Sequence, residues 1–249
     1  MTQNKKSEVV YYEGENSTPE EAEKRVSVLF SRAEEMLGTF TIDALLHYIS
    51  GHLDVTNESR CLDAGCMSGI VSYSFEKKTK FKMIGVDISM LNLTAANRLK
   101  RKYGFKTELL GADIDNLCFK DNSFDVVLIH NTLHHFPDFE PPLRSFRRIL
   151  KEGGMLIVED GNLLYYPLLL RAFRRKLKKQ LWGSANEWPY TRFRLLRALR
   201  KTGFKIVRLG NVRFLPLRFL GDRLELDDFI SKIPIINMFG SRTLCLAQK

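Results

Sequence analysis

The run Arg60-Cys61-Leu62-Asp63-Ala64-Gly65-Cys66-Met67-Ser68-Gly69-Ile70 constrains this chain more than any other stretch. A short apolar strand ends in an acid and spills into a turn of small residues. A helical pattern then begins at once with Ile70, Val71, Tyr73 and Phe75. Strand, tight turn and helix in immediate succession form the element with which α/β proteins hold nucleotide-like ligands. The spacing argues against two ligand classes. A dinucleotide turn needs G-x-G-x-x-G so that backbone can approach a pyrophosphate, whereas here Gly65 is followed by Cys66, Met67 and Ser68 before Gly69. No G-x-x-x-x-G-K-[ST] phosphate loop occurs either. The expectation is a nucleotide-like ligand that lacks phosphates.

The rest of the chain alternates in a way that fits one such fold. Strands are predicted near 60–62, 82–87, 106–110, 124–129, 155–159 and 204–208, with helices near 70–77, 91–103, 142–150 and 191–201. Strands interleaved with helices of this length imply right-handed crossovers and a mostly parallel sheet. The run 242–247 follows closely enough to return as an antiparallel strand. The predicted fold is therefore α/β: a Rossmann-like, doubly wound, mostly parallel sheet of seven strands, the last antiparallel, with helices on both faces. Ahead of it, Thr18-Pro19-Glu20-Glu21 predicts a helix start, with Thr18 as N-cap, Pro19 at the first helical position and Glu21 completing a capping box. That helix is expected to run to about Leu37, and a second to cover 42–49. Residues 1–55 thus read as an N-terminal tail and helices, and 56–249 as the ligand-binding domain.

With 249 residues, 44% of them apolar, the chain is long enough for one such domain with a full core. No apolar run approaches the roughly 18 residues of a membrane span. The first residues, Met1 to Glu8, lack the apolar stretch of a secretory signal, so a cytoplasmic location is expected. Cys61, Cys66, Cys118 and Cys245 show no paired spacing and read as reduced packing residues. The formal charge of +10 is concentrated: residues 171–218 hold fifteen Lys or Arg against one acid, Glu187, which leaves the remainder net acidic. Within this region Tyr166, Leu170, Phe173, Leu177 and Leu181 recur at helical spacing, with Arg171, Arg174, Arg175, Lys178 and Lys179 between them. A basic amphipathic helical insertion at about 163–189 is expected. Its basic face reads as a solvated surface, a lid over the substrate, a nucleic-acid track, or a peripheral contact with an anionic membrane through 163–182.

In an open parallel sheet ligands sit beyond the carboxyl ends of the strands. Those predicted ends carry Asp63 and the 65–69 turn, Val86-Asp87-Ile88-Ser89, Gly111-Ala112-Asp113-Ile114, His130-Asn131-Thr132-Leu133-His134-His135-Phe136, and Glu159-Asp160-Gly161-Asn162. Asp87 lies 18 residues beyond Gly69, close to the ~20 expected of an acid that accepts from ribose hydroxyls.

These pieces, in this order, resemble the class I S-adenosylmethionine-dependent methyltransferases, in the broad group that includes the ubiquinone and menaquinone methyltransferases. Residues 61–69 resemble that family's first motif, Val86–Ser89 its second, and Gly111–Asp113 its adenine-binding motif. Phe119–Val127 leads into the fourth strand in the family's manner, Leu133–Phe136 follows it, and Leu150–Leu156 resembles the turn before strand five. The resemblance covers roughly residues 61–159 and implies S-adenosylmethionine as cofactor, with S-adenosylhomocysteine as product.

It also implies residue roles. Asp63 and the backbone of Gly65, Cys66, Met67 and Gly69 would hold the methionine moiety, Asp87 the ribose, and Asp113 the adenine amino group between Ile88 and Ile114. His130 would contribute a backbone contact. One departure stands out: the family's D-x-G-x-G-x-G has Met67 at its middle glycine, so Met67 either adopts a left-handed φ that its side chain disfavours or points away in ordinary geometry. His134, His135 and Asp160 are candidate bases for removing a proton from the acceptor. Each also has a plainer role, the histidines as scaffold and Asp160 as a helix cap. His130-x-x-x-His134 has metal-ligand spacing without an obvious third ligand, and no metal is expected. The activity implied is methyl transfer to a small-molecule or lipid-like acceptor. The rival readings are an RNA methyltransferase that uses the basic region, and a non-catalytic scaffold that keeps the fold.

Overall fold

The computed structural model describes residues 18, 20–24, 26–28, 46, 52, 55–165, 190–212 and 238–249. Its order is β1 (Arg60–Ala64), α1 (Ile70–Lys78), β2 (Lys82–Asp87), α2 (Met90–Tyr103), β3 (Glu108–Gly111), β4 (Phe124–His130), α3 (Glu140–Ile149), β5 (Leu150–Gly161), α4 (Arg192–Lys201), β6 (Lys205–Val212) and β7 (Arg242–Gln248). Short 3-10 turns at Ile114–Asn116 and Leu133–His135 follow β3 and β4. One sheet joins all seven strands in the order β3-β2-β1-β4-β5-β7-β6. β1 through β5 pair in parallel, and β7 runs antiparallel between β5 and β6. The predicted seven-stranded, doubly wound α/β fold is the one observed. Strand order reverses between β1 and β4, and it is at such a reversal that a crevice opens above the strand tips.

Period-two alternation builds both faces of the sheet. Leu62, Ala64, Ile84, Val86, Val127, Ile129, Leu156, Val158, Cys245 and Ala247 point to one side, where Leu143, Phe146 and Ile149 of α3 and Leu195 and Leu199 of α4 cover them. Cys61, Met83, Val126, Leu128, Met155, Ile157, Leu244 and Leu246 point to the other, where Phe75 of α1 packs. The continuous apolar character of β4 and β5 follows from this two-sided burial.

The N-terminal prediction is met at Thr18: its hydroxyl accepts from the Glu21 N–H at 3.2 Å, and the Glu21 carboxylate accepts from the Thr18 N–H at 3.0 Å. Residues 20–24 and 26–28 are helical, and Ala22 and Val26 are buried against Tyr73, Ala95, Leu99 and Phe105. The expected continuation to Leu37 and most of the helix at 42–49 lie outside the described residues, as does the basic insertion beyond residue 165. Residues 163–165 form a turn and bend, so a helix does not begin at Leu163. β5 starts at Leu150, five residues earlier than predicted, because Leu150 already pairs with Phe124 before the irregularity that skips to Val126–Met155.

Candidate functional site

The tips of β1, β2 and β3 form one half of the crevice. After β1 the chain turns sharply through three left-handed residues, Gly65 (φ 82°), Met67 (φ 45°) and Gly69 (φ 74°). Gly65 has no room for a side chain: a Cβ there would lie 2.4 Å from the Thr132 hydroxyl oxygen in the loop after β4. Met67 takes the strained alternative of the two considered. Its half-buried side chain tolerates φ 45° because the backbone is pinned, its N–H donating to Asp87 Oδ2 at 2.9 Å. The N–H groups of Gly65 and Cys66 both donate to Val86 O, at 2.8 and 3.0 Å, and that of Gly69 to Cys66 O at 2.8 Å. Four of the turn's donors are therefore spent inside the protein. What the turn offers a ligand is its shape and the first turn of α1.

Asp63 is almost fully buried and accepts from the Ser72 hydroxyl on α1 at 2.6 Å. Burial pushes its carboxyl up to about 6; Ser72 and His130 act against that rise. Asp87 accepts from Ser89 N–H at 2.9 Å on Oδ1 and from Met67 N–H on Oδ2, and burial raises its pKa despite these bonds. Each oxygen keeps a second lone pair for a hydroxyl donor. Asp113 caps the turn after β3, its Oδ1 accepting from Asp115 N–H at 3.1 Å. Ile88 is half-buried, whereas Ile114 is turned into the main core.

Across the strand-order reversal, the tips of β4, β5 and β7 form the other half. His134 and Asp160 are joined twice: the backbone N–H of His134 donates to Oδ2 at 3.1 Å, and its Nδ1 lies 2.8 Å from Oδ1. Asp160 is 1% exposed and also accepts from Gly161 N–H at 2.7 Å. Burial works to raise its pKa, but His134 and Arg242 outweigh burial and hold the carboxyl below its ordinary value. An ionised Asp160 accepts from the Nδ1–H of His134, and in the neutral ring that leaves Nε2 as the basic nitrogen. The His135 ring lies against that of His134, with centroids 4.1 Å apart and planes tilted by 41°.

Behind them, His130 Nε2 lies 2.8 Å from Glu159 Oε2, and Glu159 Oε1 accepts from Arg242 Nε at 2.6 Å. The two histidines of the H-x-x-x-H spacing thus face different carboxylates. Tyr190, fully buried, sets its ring edge-on to Phe139. Its hydroxyl lies beside Asp160, whose charge and the burial together push the phenol up. Tyr190, Asn131 and Arg242 belong to this half and were not singled out in the sequence. They come from distant segments and match no local motif.

A twisted parallel sheet with acids on the tips of β1, β2 and β3 beside the strand-order reversal defines a class of protein, the Rossmann-like S-adenosylmethionine-dependent methyltransferases, and comparison with known proteins agrees. A family model described as a methyltransferase domain matches residues 62–158. The chain is 30% identical to the demethylmenaquinone methyltransferase of Staphylococcus saprophyticus over 51% of its own length and 54% of the relative's. It is 32% identical to an uncharacterised protein of Methanocaldococcus jannaschii over 81% of this chain and 77% of that one. The chain thus spans about half of the first relative and three quarters of the second. A crystal structure of an S-adenosylmethionine-dependent methyltransferase from Thermotoga maritima, described as a possible histamine N-methyltransferase, superposes with a TM-score of 0.63 at 22% identity, covering 92% of this chain and 98% of that one. This chain belongs to the class I S-adenosylmethionine-dependent methyltransferases, and its cofactor is S-adenosylmethionine.

Proposed function

We propose that this protein transfers a methyl group from S-adenosylmethionine to a small-molecule or lipid-like acceptor, with His134 as the base that takes the acceptor's proton. One observation carries the reading: the sheet edge that bears Asp63 and Asp87 also bears a His134–Asp160 pair, with 2.8 Å between Nδ1 and Oδ1. A histidine held in this way has a defined tautomer and a basic Nε2, which is what abstraction of a hydroxyl proton needs.

The donor set on the first half fits the cofactor. Asp87 suits a vicinal diol, since a carboxylate accepts two hydrogen bonds in parallel. Asp113 suits the adenine amino group beside Ile88. Asp63, strained toward neutrality by burial, gains its charge back when an ammonium lies next to it. Because four N–H groups of the 65–69 turn are spent, the methionine carboxylate is left to the positive end of α1. When bound, the cofactor supplies a methyl group on a sulfonium, ready for in-line displacement. The protein's contribution is then orientation, keeping acceptor and methyl collinear, and removal of one proton. In this reading Asp160 orients His134 and does not itself take the proton, being buried and already accepting three hydrogen bonds.

The acceptor class draws support from the demethylmenaquinone methyltransferase relative, whose name specifies a lipid-like quinone. Among the described residues no helix is long and apolar enough to cross a membrane. A lipid-like acceptor would therefore be reached from the surface, and the basic segment 163–182 is the proposed point of peripheral contact with anionic lipid. Calorimetry with S-adenosylmethionine and S-adenosylhomocysteine tests the first claim: binding that Asp87→Ala weakens is expected, and no heat with either ligand sinks it. A panel of quinols, phenols, amines and RNA, assayed for methyl incorporation, tests the second. Methylation of RNA alone would replace the acceptor class.

A further inference from the structure

Five ionisable side chains gather at the strand tips: His130 on β4, Glu159 and Asp160 on β5, Arg242 on β7, and His134 in the turn after β4. Arg242 opens β7 directly opposite Gly161 of β5, so its side chain enters the group from the far strand. Its Nε donates to Glu159 Oε1 at 2.6 Å, its Nη2 donates to Asn131 Oδ1, and its charge reaches Asp160 and Tyr190. Each carboxylate carries an imidazole on its other side, His130 on Glu159 and His134 on Asp160, at 2.8 Å in both cases. Arg242 thus pairs directly with Glu159 and acts on Asp160, which points to the other face of the sheet, through its charge alone.

Two consequences follow from this placement. The first is geometric. Asn131 has a left-handed backbone (φ 53°), unusual for a residue with a side chain. It is held there by Arg242 on its side chain and by Glu159 O, which accepts from its N–H at 3.0 Å. Asn131 leads directly into the turn that carries His134, so Arg242 fixes that turn's take-off. The second is electrostatic. With the guanidinium in place Glu159 is paired with a permanent cation whose charge also reaches Asp160. Without it, both carboxylates turn to the imidazoles for compensation, because uncompensated buried charge is costly.

We propose that Arg242 is a positioning residue for methyl transfer: it neutralises Glu159 and lends its charge to Asp160, which keeps His134 a proton acceptor, and through Asn131 it sets the turn on which His134 stands. The groups that face His134 are Asp160 from β5, His135 from its own turn, and, through Asp160, Arg242 from β7 and Tyr190 from the residue before Thr191 and α4. Of these Arg242 alone is a permanent cation. The proposal rests on the reading of His134 as the base.

The test is an NMR titration of the histidine ring signals in the full chain with S-adenosylhomocysteine present, His134 being assigned with a His134→Gln variant. Arg242→Met is expected to raise the His134 midpoint by about one unit, a tenfold gain in proton affinity. Arg242→Lys, which keeps the charge, is expected to recover at least half of that shift. A merely structural role would move melting temperature in both variants and leave the midpoint where it was. An Arg242→Met protein that melts cooperatively with its His134 midpoint within about 0.3 unit of wild type overturns the proposal. Should Arg242→Met fail to fold, Glu159→Gln is titrated instead. It releases Arg242 toward Asp160 and must lower the His134 midpoint, and an unchanged midpoint overturns the proposal equally. If His134 is not the base, these shifts still appear while His134→Gln turns over normally, so failure of the two readings is told apart.

Discussion

The two halves of the crevice are built on different principles. On the β1–β2–β3 side each acid is held from within twenty residues of chain: Asp87 accepts from Ser89 two residues on and from Met67 in the preceding turn, and Asp113 from Asp115. On the β4–β5–β7 side every important pair spans a long stretch of chain: His134 with Asp160, Glu159 with Arg242, Asn131 with Arg242. In the first half burial raises the pKa of Asp87 and pushes that of Asp63 up to about 6. In the second half His134 and Arg242 hold Asp160 below its ordinary value. A local frame suits a ligand shared by a whole family, and an assembled one suits the acceptor, which differs between members.

The largest expected effect separates the halves by function. With an acceptor in hand, His134→Gln should lower kcat by about 100-fold or more, in the range of lost general-base catalysis, while S-adenosylhomocysteine affinity stays within about threefold. A parallel loss of cofactor affinity would erase the division. Conversely, Asp87→Ala should weaken S-adenosylhomocysteine binding about 100-fold in calorimetry, since a charged acceptor of ligand hydroxyls is lost along with the anchor of Met67.

Stability breaks the comparison at its seam, where Gly65 of the first half touches Thr132 of the second. Gly65→Ala combines a left-handed φ with overpacking and should cost about 2–4 kcal/mol in chemical denaturation. Adding Thr132→Ala should recover the overpacking share only. Full recovery would mean that φ 82° carries no strain.

The pH responses should have opposite signs. Asp63 has a folded pKa of about 6 against 3.8 for the free group, so the native state binds the extra proton between those values. Stability from this group is present below pH 3.8 and is lost as pH rises through about 6. Asp160 has a lowered folded pKa, so its contribution is present above 3.8 and lost as pH falls through the folded value. Asp63→Asn should therefore flatten the stability profile between pH 4 and 6, and Asp160→Asn should flatten its acid end, both read by denaturant titration at fixed temperature. If Asp63 meets the cofactor ammonium, ligand binding near pH 6 should also release a proton, measurable as a dependence of the calorimetric heat on buffer ionisation enthalpy.

The smallest effect expected is at Met67. Met67→Gly should relieve the φ of 45° and raise stability by up to about 1 kcal/mol, offset in part by the greater freedom of glycine when unfolded. Its N–H still reaches Asp87, so cofactor affinity should hold. A marked fall would show that the Met67 side chain itself contacts the ligand.

What was legible in the sequence divides along the same line. The strands, four of the helices, the capping box at Thr18 and the acids at the tips of β1, β2 and β3 all rest on periodicity and short-range hydrogen bonds. Such signals are complete within about twenty residues. One open alternative and one expectation were decided by the fold. Met67 lies in the left-handed region because Asp87 pins it, and the turn donors expected to hold the methionine moiety are spent, those of Gly65, Cys66 and Met67 on β2 and that of Gly69 on Cys66. Neither outcome is visible in the turn's own residues.

The sequence by itself determined the doubly wound sheet and the acids that reach the ends of its first three strands, where cofactor binding is proposed, because strand–turn–helix geometry carries each of them there. Only the tertiary structure decided what His134 and Asp160 do to each other. It alone brought Arg242, over a hundred residues from Asn131, onto both Asn131 and Glu159. An antiparallel last strand inserted beside β5 makes that contact, and strand pairing across such a separation leaves no local pattern in the chain.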